Sequence, residues 1–224
     1  MKSMPDWLIF TLRTAIIILM PVFLTLTNVR LAMSNAFLNY EYNKPNFPPD
    51  TYGFSQADRL AYAPIALDYL TNPEGVEFLG RQTFPDGSRQ YNERELKHME
   101  DVKRVTRAAL NVWLVSGLIV VGGSVLLGWS GNRAALRAGL LGGAGLTLLI
   151  FLGIITYIAI NFNTFFTQFH QVFFESGTWQ FEYSDTLIRL FPLQFWQDVF
   201  ILIGGGAMLE AAVIGVAAWS GIQV

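Results

Sequence analysis

The chain has 224 residues, of which 52% are hydrophobic and only 14% are charged, and its formal net charge is −2. Soluble domains usually carry charges on about a quarter of their residues, so this composition indicates a membrane protein. The small net charge and the lack of a basic stripe give no support for nucleic-acid binding. The absence of cysteine excludes disulfides, thiol nucleophiles and cysteine-ligated zinc.

Four apolar stretches are long enough to cross a bilayer, which takes about 20 residues of helix. They comprise residues 7–29, 108–129, 134–160 and 195–219. The first stretch is longer than the apolar region of a signal peptide and is not followed by a clear A-x-A cleavage site. A cleaved signal remains the alternative for that stretch, and the sequence predicts four transmembrane helices.

The lysine and arginine residues of short loops predict the direction of these spans, because such residues stay on the cytoplasmic side. Arg133 and Arg137 lie in the short second loop without an acidic neighbour, and Lys2 precedes the first span. We therefore expect a multi-pass protein of the cell membrane with cytoplasmic termini. The long segments 30–107 and 161–194 should then both be extracytoplasmic.

The segment 30–107 has enough pattern to fold rather than to form a plain loop. Residues 55–70 read as an amphipathic helix capped by a serine, and residues 76–91 give a hairpin signal around Pro-Asp-Gly. Residues 92–110 are strongly helical and run without a breaker into the second span. The predicted fold class is an all-α membrane bundle of four transmembrane helices with a small α+β extracytoplasmic domain.

The segment 161–194 begins as a continuation of the third span and is rich in phenylalanine. One helical face carries five of these side chains, namely Phe162, Phe165, Phe166, Phe169 and Phe173. Aromatic residues at a bilayer interface often serve only as anchors. The functional alternative is a groove that receives lipid chains.

The two histidines, His98 and His170, are the candidates for proton transfer near neutral pH. Asp101 lies three residues after His98, on the same helical face, and could hold its imidazole ring. In an up-and-down bundle the two histidines would lie near neighbouring helix ends and could converge. A purely structural hydrogen-bonding role is the alternative, and a metal site is weaker still because no H-E-x-x-H spacing exists.

Two charged residues, Arg13 and Glu210, lie inside the first and fourth spans. Charges in hydrocarbon are costly and usually paired. Counted in residues from the cytoplasmic ends of their spans, Arg13 and Glu210 lie at a similar depth. We therefore predict that they form a structural pair. A proton pathway is the alternative, but no further polar residues continue it.

Two histidine-containing motifs resemble those of a known family. They are K-H-M-E-D-V-K-R-V at 97–105, before the second span, and F-F-T-Q-F-H-Q-V-F-F-E-S-G-T-W-Q-F at 165–181, after the third. With the four spans and the long outer segment, they make the chain similar to the lipoprotein intramolecular transacylase (Lit) family of bacterial membrane proteins.

The resemblance implies a reaction at the outer face of the membrane. An acyl chain moves from the glyceryl ester of a diacylglyceryl lipoprotein to the α-amine of its N-terminal Cys, with membrane lipids and that lipoprotein terminus as partners and no cofactor. It implies a catalytic pair, His98 and His170, which we expect Asp101 to assist. The expected substrate contacts are Lys103, Arg104, Tyr62, Tyr69, Phe166, Phe169, Phe173 and Trp179.

A non-catalytic role remains the alternative from another functional class. The chain could be an accessory subunit that packs into a larger membrane complex, since a shared fold does not guarantee a shared activity. An open cleft between the two histidines favours the enzyme, whereas a cleft plugged by partner chains favours the subunit.

Overall fold

A computed structural model of the chain describes residues 4–175 and 177–221. Lys2, used above for the direction of the spans, and Ser176, in the second motif, lie outside the described residues. The described residues form nine α-helices: α1 Asp6–Ala32, α2 Asn35–Tyr42, α3 Gln56–Thr71, α4 Glu77–Gly80, α5 Glu93–Trp129, α6 Arg133–Ile160, α7 Phe162–Phe173, α8 Thr186–Leu190 and α9 Leu193–Gly221. Four of them, α1, α5, α6 and α9, are long and apolar enough to cross a membrane.

The predicted α+β character of the segment 30–107 is wrong. The described part of the chain contains no strand, and the expected hairpin at 76–91 yields the short helix α4 and a single isolated bridge between Thr83 and Arg89. A lone two-stranded hairpin is marginally stable. Leu79 and Tyr91 instead bury their side chains in a helical core, so packing against helices replaces strand pairing.

The chain divides into two compact units. The first comprises, as far as it is described, Met1–Arg30, Leu110–Ile160 and Ile201–Val224. Its core is apolar and includes Ile16 and Met20 of α1 together with Leu127, Phe151 and Ala207. Outward-facing side chains of this unit are apolar too, for example Leu118, Leu149 and Val213, which is the pattern of a helix bundle that faces lipid.

Glycines of α6 allow a close approach to α1 within the first unit. A Cβ atom added at Gly143 would lie 2.9 Å from Met20 Sδ, and one added at Gly142 would lie 2.9 Å from Ile17 Cγ1. Small residues are the usual means by which membrane helices pack closely. The missing side chains of Gly142 and Gly143 therefore let α6 pack closely against α1.

The expected pair between Arg13 and Glu210 is not formed. Glu210 Oε2 instead accepts a hydrogen bond from Asn28 Nδ2 at 3.0 Å, while the Arg13 guanidinium lies 5.2 Å from the centre of the Phe10 ring. Arg13 and Asn28 are fifteen residues apart on α1, about 22 Å along the helix. The two charges therefore lie at different levels, and Asn28 supplies the polar partner.

The second unit comprises Leu31–Ala109 and Asn161–Phe200. The predicted helix at 55–70 is confirmed as α3, which opens with a capping box between Ser55 and Asp58 and continues through Pro64. Its buried face carries Arg59, Ala63, Ala66 and Tyr69. Arg59 is held by the backbone carbonyls of Pro48 and Arg189.

The long helix α5 is continuous, as predicted, but the third span does not simply extend outward. α6 ends at Ile160, and Asn161 adopts an extended backbone with φ −159° and ψ 95°. The Asn161 side chain accepts a hydrogen bond from Thr164 N and so caps the separate helix α7. The phenylalanine-rich segment is therefore a short helix of its own, and it carries His170.

Candidate active site

A buried hydrogen-bond network fixes the start of α5 one turn before His98. Asn92 and Glu95 form a reciprocal cap, in which Glu95 Oε2 accepts from Asn92 N at 2.8 Å and Asn92 Oδ1 accepts from Glu95 N at 3.0 Å. Glu95 Oε1 also accepts from Leu187 N of α8 at 2.8 Å. Glu95 is 1% exposed. Its hydrogen bonds connect the first turn of α5, just before His98, to α8.

The second unit brings His98 of α5 and His170 of α7 together. The two ring centroids are 6.4 Å apart and the ring planes differ by 21°. Each residue is buried, with 9% and 8% of its surface exposed. The two histidines of the chain therefore converge, and their catalytic role stays a prediction.

An aromatic enclosure surrounds both imidazole rings. The His170 ring lies 4.1 Å from that of Phe166 and 4.8 Å from that of Trp179. The ring of Phe174 packs beside both histidines, 5.0 Å from His98 and 5.6 Å from His170. Phe181 completes the enclosure at 5.2 Å from His98.

The hydrogen bond made by His170 fixes the position of its proton. His170 Nδ1 lies 2.8 Å from the backbone carbonyl oxygen of Phe166. A carbonyl oxygen can only accept, so Nδ1 carries a hydrogen and donates it. The neutral ring then has its lone pair on Nε2, which makes Nε2 the atom that can take a proton from a substrate.

Both imidazoles are neutral at physiological pH because the charged form is disfavoured in this enclosure. Burial, together with a smaller effect of the neighbouring His170, lowers the pKa of His98 to about 4 against the opposing effect of Asp101. Burial also lowers the pKa of His170, against the opposing effect of its bond to the Phe166 carbonyl. Neutral imidazoles are the form required of a general base.

The predicted support of His98 by Asp101 is not present. Asp101 Oδ1 is hydrogen-bonded to Arg104 Nη2 and lies 3.9 Å from Lys97 Nζ. His98 Nδ1 is buried and has no hydrogen-bond partner among the described residues. Arg104, three residues after Asp101 on the exposed side of α5, competes successfully for the carboxylate. A catalytic role for Asp101 itself stays a prediction.

The other predicted polar contacts are held elsewhere in the second unit. Lys103 Nζ donates to Asn72 Oδ1 at 3.0 Å and to the Glu74 carbonyl at 2.6 Å, and it lies 3.9 Å from the centre of the Tyr69 ring. Tyr62 packs between other rings, 5.6 Å from those of Phe54 and Phe84. These contacts occupy the Lys103 ammonium and the aromatic rings of Tyr69 and Tyr62.

The phenylalanine face of α7 has one packed part and one open part. Phe162 and Phe169 lie with their rings 6.0 and 5.5 Å from that of Phe200 on α9. Phe169 and Phe173 are 37% and 46% exposed. The open part is an apolar surface beside His170, as a binding surface for an acyl chain requires.

Several residues of the site were not singled out by the sequence. Phe174 and Phe181 lie inside the second motif, where they do not share the spacing of the phenylalanine stripe. Phe200 belongs to a predicted span and carried no separate signal. The Asn92-x-x-Glu95 spacing, by contrast, is a capping-box pattern that could have located the support of His98. Within the described ranges, no group of three His, Asp or Glu residues suits a metal ion.

Comparison with known proteins gives a consistent family match. The family model described as lipoprotein intramolecular transacylase Lit matches residues 14–196. An uncharacterised protein of Aquifex aeolicus (strain VF5) is 34% identical over 189 residues, which cover 82% of each chain.

Solved structures of a Bacillus cereus protein have the same fold as this chain. The structure of the membrane-integral transacylase Lit from Bacillus cereus superposes with a TM-score of 0.76 at 19% identity, covering 96% of this chain and 94% of that one. A form of that enzyme with a histidine replaced by alanine superposes with a TM-score of 0.68 at 18% identity, covering 94% and 92%. At 18–19% sequence identity, this structural similarity establishes the fold alone.

Proposed function

The chain belongs to the lipoprotein intramolecular transacylase (Lit) family, and from this premise we propose that it moves an acyl chain within a diacylglyceryl lipoprotein. The chain passes from the glyceryl ester to the α-amine of the lipidated N-terminal Cys. The supporting observation is the buried pair of His98 and His170, 6.4 Å apart in an aromatic enclosure. His170 Nε2 is the basic atom of that pair.

The proposed reaction needs one proton to be taken and one to be given. The amine nitrogen attacks the ester carbonyl carbon, a new C–N bond forms, and His170 Nε2 takes a proton from the amine. The tetrahedral intermediate then collapses with cleavage of the bond between the carbonyl carbon and the glyceryl oxygen. That oxygen receives a proton from the imidazolium, so the enzyme returns to its starting state.

His98 is assigned as the partner of His170 in this proton transfer. Its ring is close enough to share the reacting space, and its low pKa keeps it neutral. We assign it to the glyceryl side, where it relays the proton from the His170 imidazolium to the leaving oxygen. Since amine and ester belong to one substrate, most of the rate gain comes from holding them in attack geometry.

The exposed phenylalanines beside His170 supply the proposed lipid contact. Phe169 and Phe173 present apolar surface, while Phe166 and Trp179 line the ring of His170 itself. For the cellular arrangement, Arg133 and Arg137 at the start of α6 favour cytoplasmic termini. The second unit would then act on the outer leaflet, where lipoproteins carry their lipid.

The test uses the purified chain in lipid nanodiscs with a synthetic diacylglyceryl peptide. Mass spectrometry of the peptide should show transfer of one acyl chain to the amine without a change in total mass, and fragmentation locates that chain. The variants His170→Gln and His98→Gln should lose the product at least 100-fold while keeping the thermal unfolding temperature within a few degrees.

Two outcomes would contradict the proposal. Full product formation by a folded His170→Gln protein would exclude His170 as the base. No product from the folded wild-type protein, alone and in its native membrane, would favour the accessory-subunit alternative. The peptide with an acetylated amine is the matched substrate control, because it cannot accept an acyl chain.

A further inference from the structure

The proposed reaction creates a negative charge that needs a donor. When the amine attacks the ester, the carbonyl oxygen becomes an oxyanion, and enzymes stabilise such an atom with fixed hydrogen-bond donors. His170 Nδ1 already donates to the Phe166 carbonyl and is not available. Its Nε2 is occupied with the proton in transit, so the oxyanion requires a donor from outside this ring.

The two cationic side chains expected to contact the substrate are bound to other groups. Lys103 is bound to Asn72 and Glu74, and Arg104 is paired with Asp101. Tyr69 lies under the Lys103 ammonium and beside Phe78. A donor for the oxyanion must therefore be sought among the groups that contact the histidine rings themselves.

One such group is the indole of Trp179. Its ring centroid lies 4.8 Å from that of His170, with 34° between the planes. Trp179 Nε1 is buried and has no hydrogen-bond partner among the described residues. Buried indole N–H groups usually find an acceptor, and this nitrogen can only donate. An unused donor at the reacting ring needs an acceptor that arrives with the substrate.

We infer that the Trp179 Nε1–H donates a hydrogen bond to the carbonyl oxygen of the migrating acyl group and stabilises its oxyanion. This assignment rests on the proposed function. The indole is neutral and does not exchange its hydrogen in the reaction, so its role is separate from that of the histidines. The bond strengthens as negative charge develops and relaxes when the glyceryl oxygen leaves.

The test removes the N–H group and keeps the shape of the side chain. Trp179 is replaced by β-(3-benzothienyl)alanine, in which sulfur stands for the indole N–H, and in a second variant by Phe. Removal of one oxyanion donor typically lowers kcat about 100- to 1,000-fold. We expect a loss of that order in both variants, with KM for the diacylglyceryl peptide changed less than threefold.

Trp196→Phe is the matched control, since Trp196 packs its ring 6.2 Å from that of Phe166 and is given no donor role. It should retain at least a third of wild-type kcat.

The outcomes separate this inference from the proposed function. A benzothienyl variant with wild-type kcat, beside a slow Trp179→Phe, would show that only the shape of the side chain matters and would overturn the inference alone. Wild-type rates in both variants would also overturn it while the transacylase function stands. An inactive wild-type protein would overturn both.

Discussion

Asn28 of α1 and Glu210 of α9 form a polar pair inside the first unit, with Asn28 Nδ2 donating to Glu210 Oε2 at 3.0 Å. Asn28 Nδ2 also donates to the Leu24 carbonyl at 3.0 Å, and the residue is 2% exposed. On α9 the nearest backbone is that of Gly206, where a Cβ atom would lie 2.0 Å from Asn28 Oδ1. The pair thus occupies a space that only glycine leaves open.

The first prediction concerns Gly206→Ala. The added methyl group overlaps Asn28 Oδ1, so the Asn28 side chain must move and its bond to Glu210 breaks. We expect a loss of about 1–3 kcal/mol, the usual cost of leaving a buried polar group unpaired. Thermal unfolding in detergent measures it. Gly205→Ala is the control, since a Cβ there meets nothing within 4 Å. Equal unfolding temperatures for the two variants would contradict the prediction.

The second prediction concerns Lys103→Met. Lys103 of α5 is 5% exposed, and its ammonium group donates hydrogen bonds to Asn72 Oδ1 and to the Glu74 carbonyl oxygen. Hydrogen bonds from a charged group contribute about 1.5–3 kcal/mol, so we expect a loss of about 2 kcal/mol in the free energy of unfolding. Lys97→Met serves as the control because Lys97 is exposed and its ion-pair distances are 3.8 and 3.9 Å. Exposed pairs contribute at most about 1 kcal/mol. A Lys103→Met protein as stable as Lys97→Met would refute this role.

The third prediction uses the pKa of His98, which burial lowers to about 4. The folded state therefore disfavours protonation that the unfolded chain accepts near 6.5. The stability that the folded state gains by keeping His98 neutral is fully present above pH 6.5 and is lost as the pH falls toward 4. At pH 5 the loss is about 2 kcal/mol. The unfolding temperature of wild type relative to His98→Gln should drop between pH 7.5 and 5. A pH-independent difference would be inconsistent with a buried neutral imidazole.

The fourth prediction has the opposite sign and concerns Glu41, which is completely buried. Its burial raises the pKa to about 7, although Lys44, 2.8 Å from Oε2, acts against the shift. The folded state favours the protonated Glu41 carboxyl. The contribution of this group to stability is therefore fully present below pH 4.5 and is lost as the pH rises to 7. Between pH 5 and 8, Glu41→Gln should gain about 2–3 kcal/mol relative to wild type. Unfolding curves at both pH values decide this, and an unchanged difference would exclude it.

Local signals explain what the sequence could predict. Runs of apolar residues located the four long helices, because length and hydrophobicity alone determine whether a helix can cross a bilayer. The Ser55–Asp58 cap was also predictable, since a capping box depends on residues three apart. The hairpin was not, because the alternation at 76–91 reflects burial of Leu79 and Tyr91 against helices rather than strand pairing.

Side-chain partners were harder to predict because several partners satisfy the same spacing rule. Asp101 lies three residues after His98 and three before Arg104, and the charged arginine is the partner it takes. Glu210 was matched to the nearest charge by depth, yet the uncharged Asn28 satisfies it. The meeting of His98 with His170 depends on how α5 and α7 pack, which no local pattern encodes.

The neutral state of both imidazole rings affects which form of the substrate can react. Both histidines are neutral, and among the described residues Asp101 is committed to Arg104. An ammonium nitrogen has no lone pair with which to attack the ester carbonyl. The amine must therefore enter as the free base, and α-amino groups lose their proton near pH 8. In mildly acidic surroundings a smaller fraction of the lipoprotein carries a free amine, so the substrate's own ionisation limits lyso-lipoprotein output.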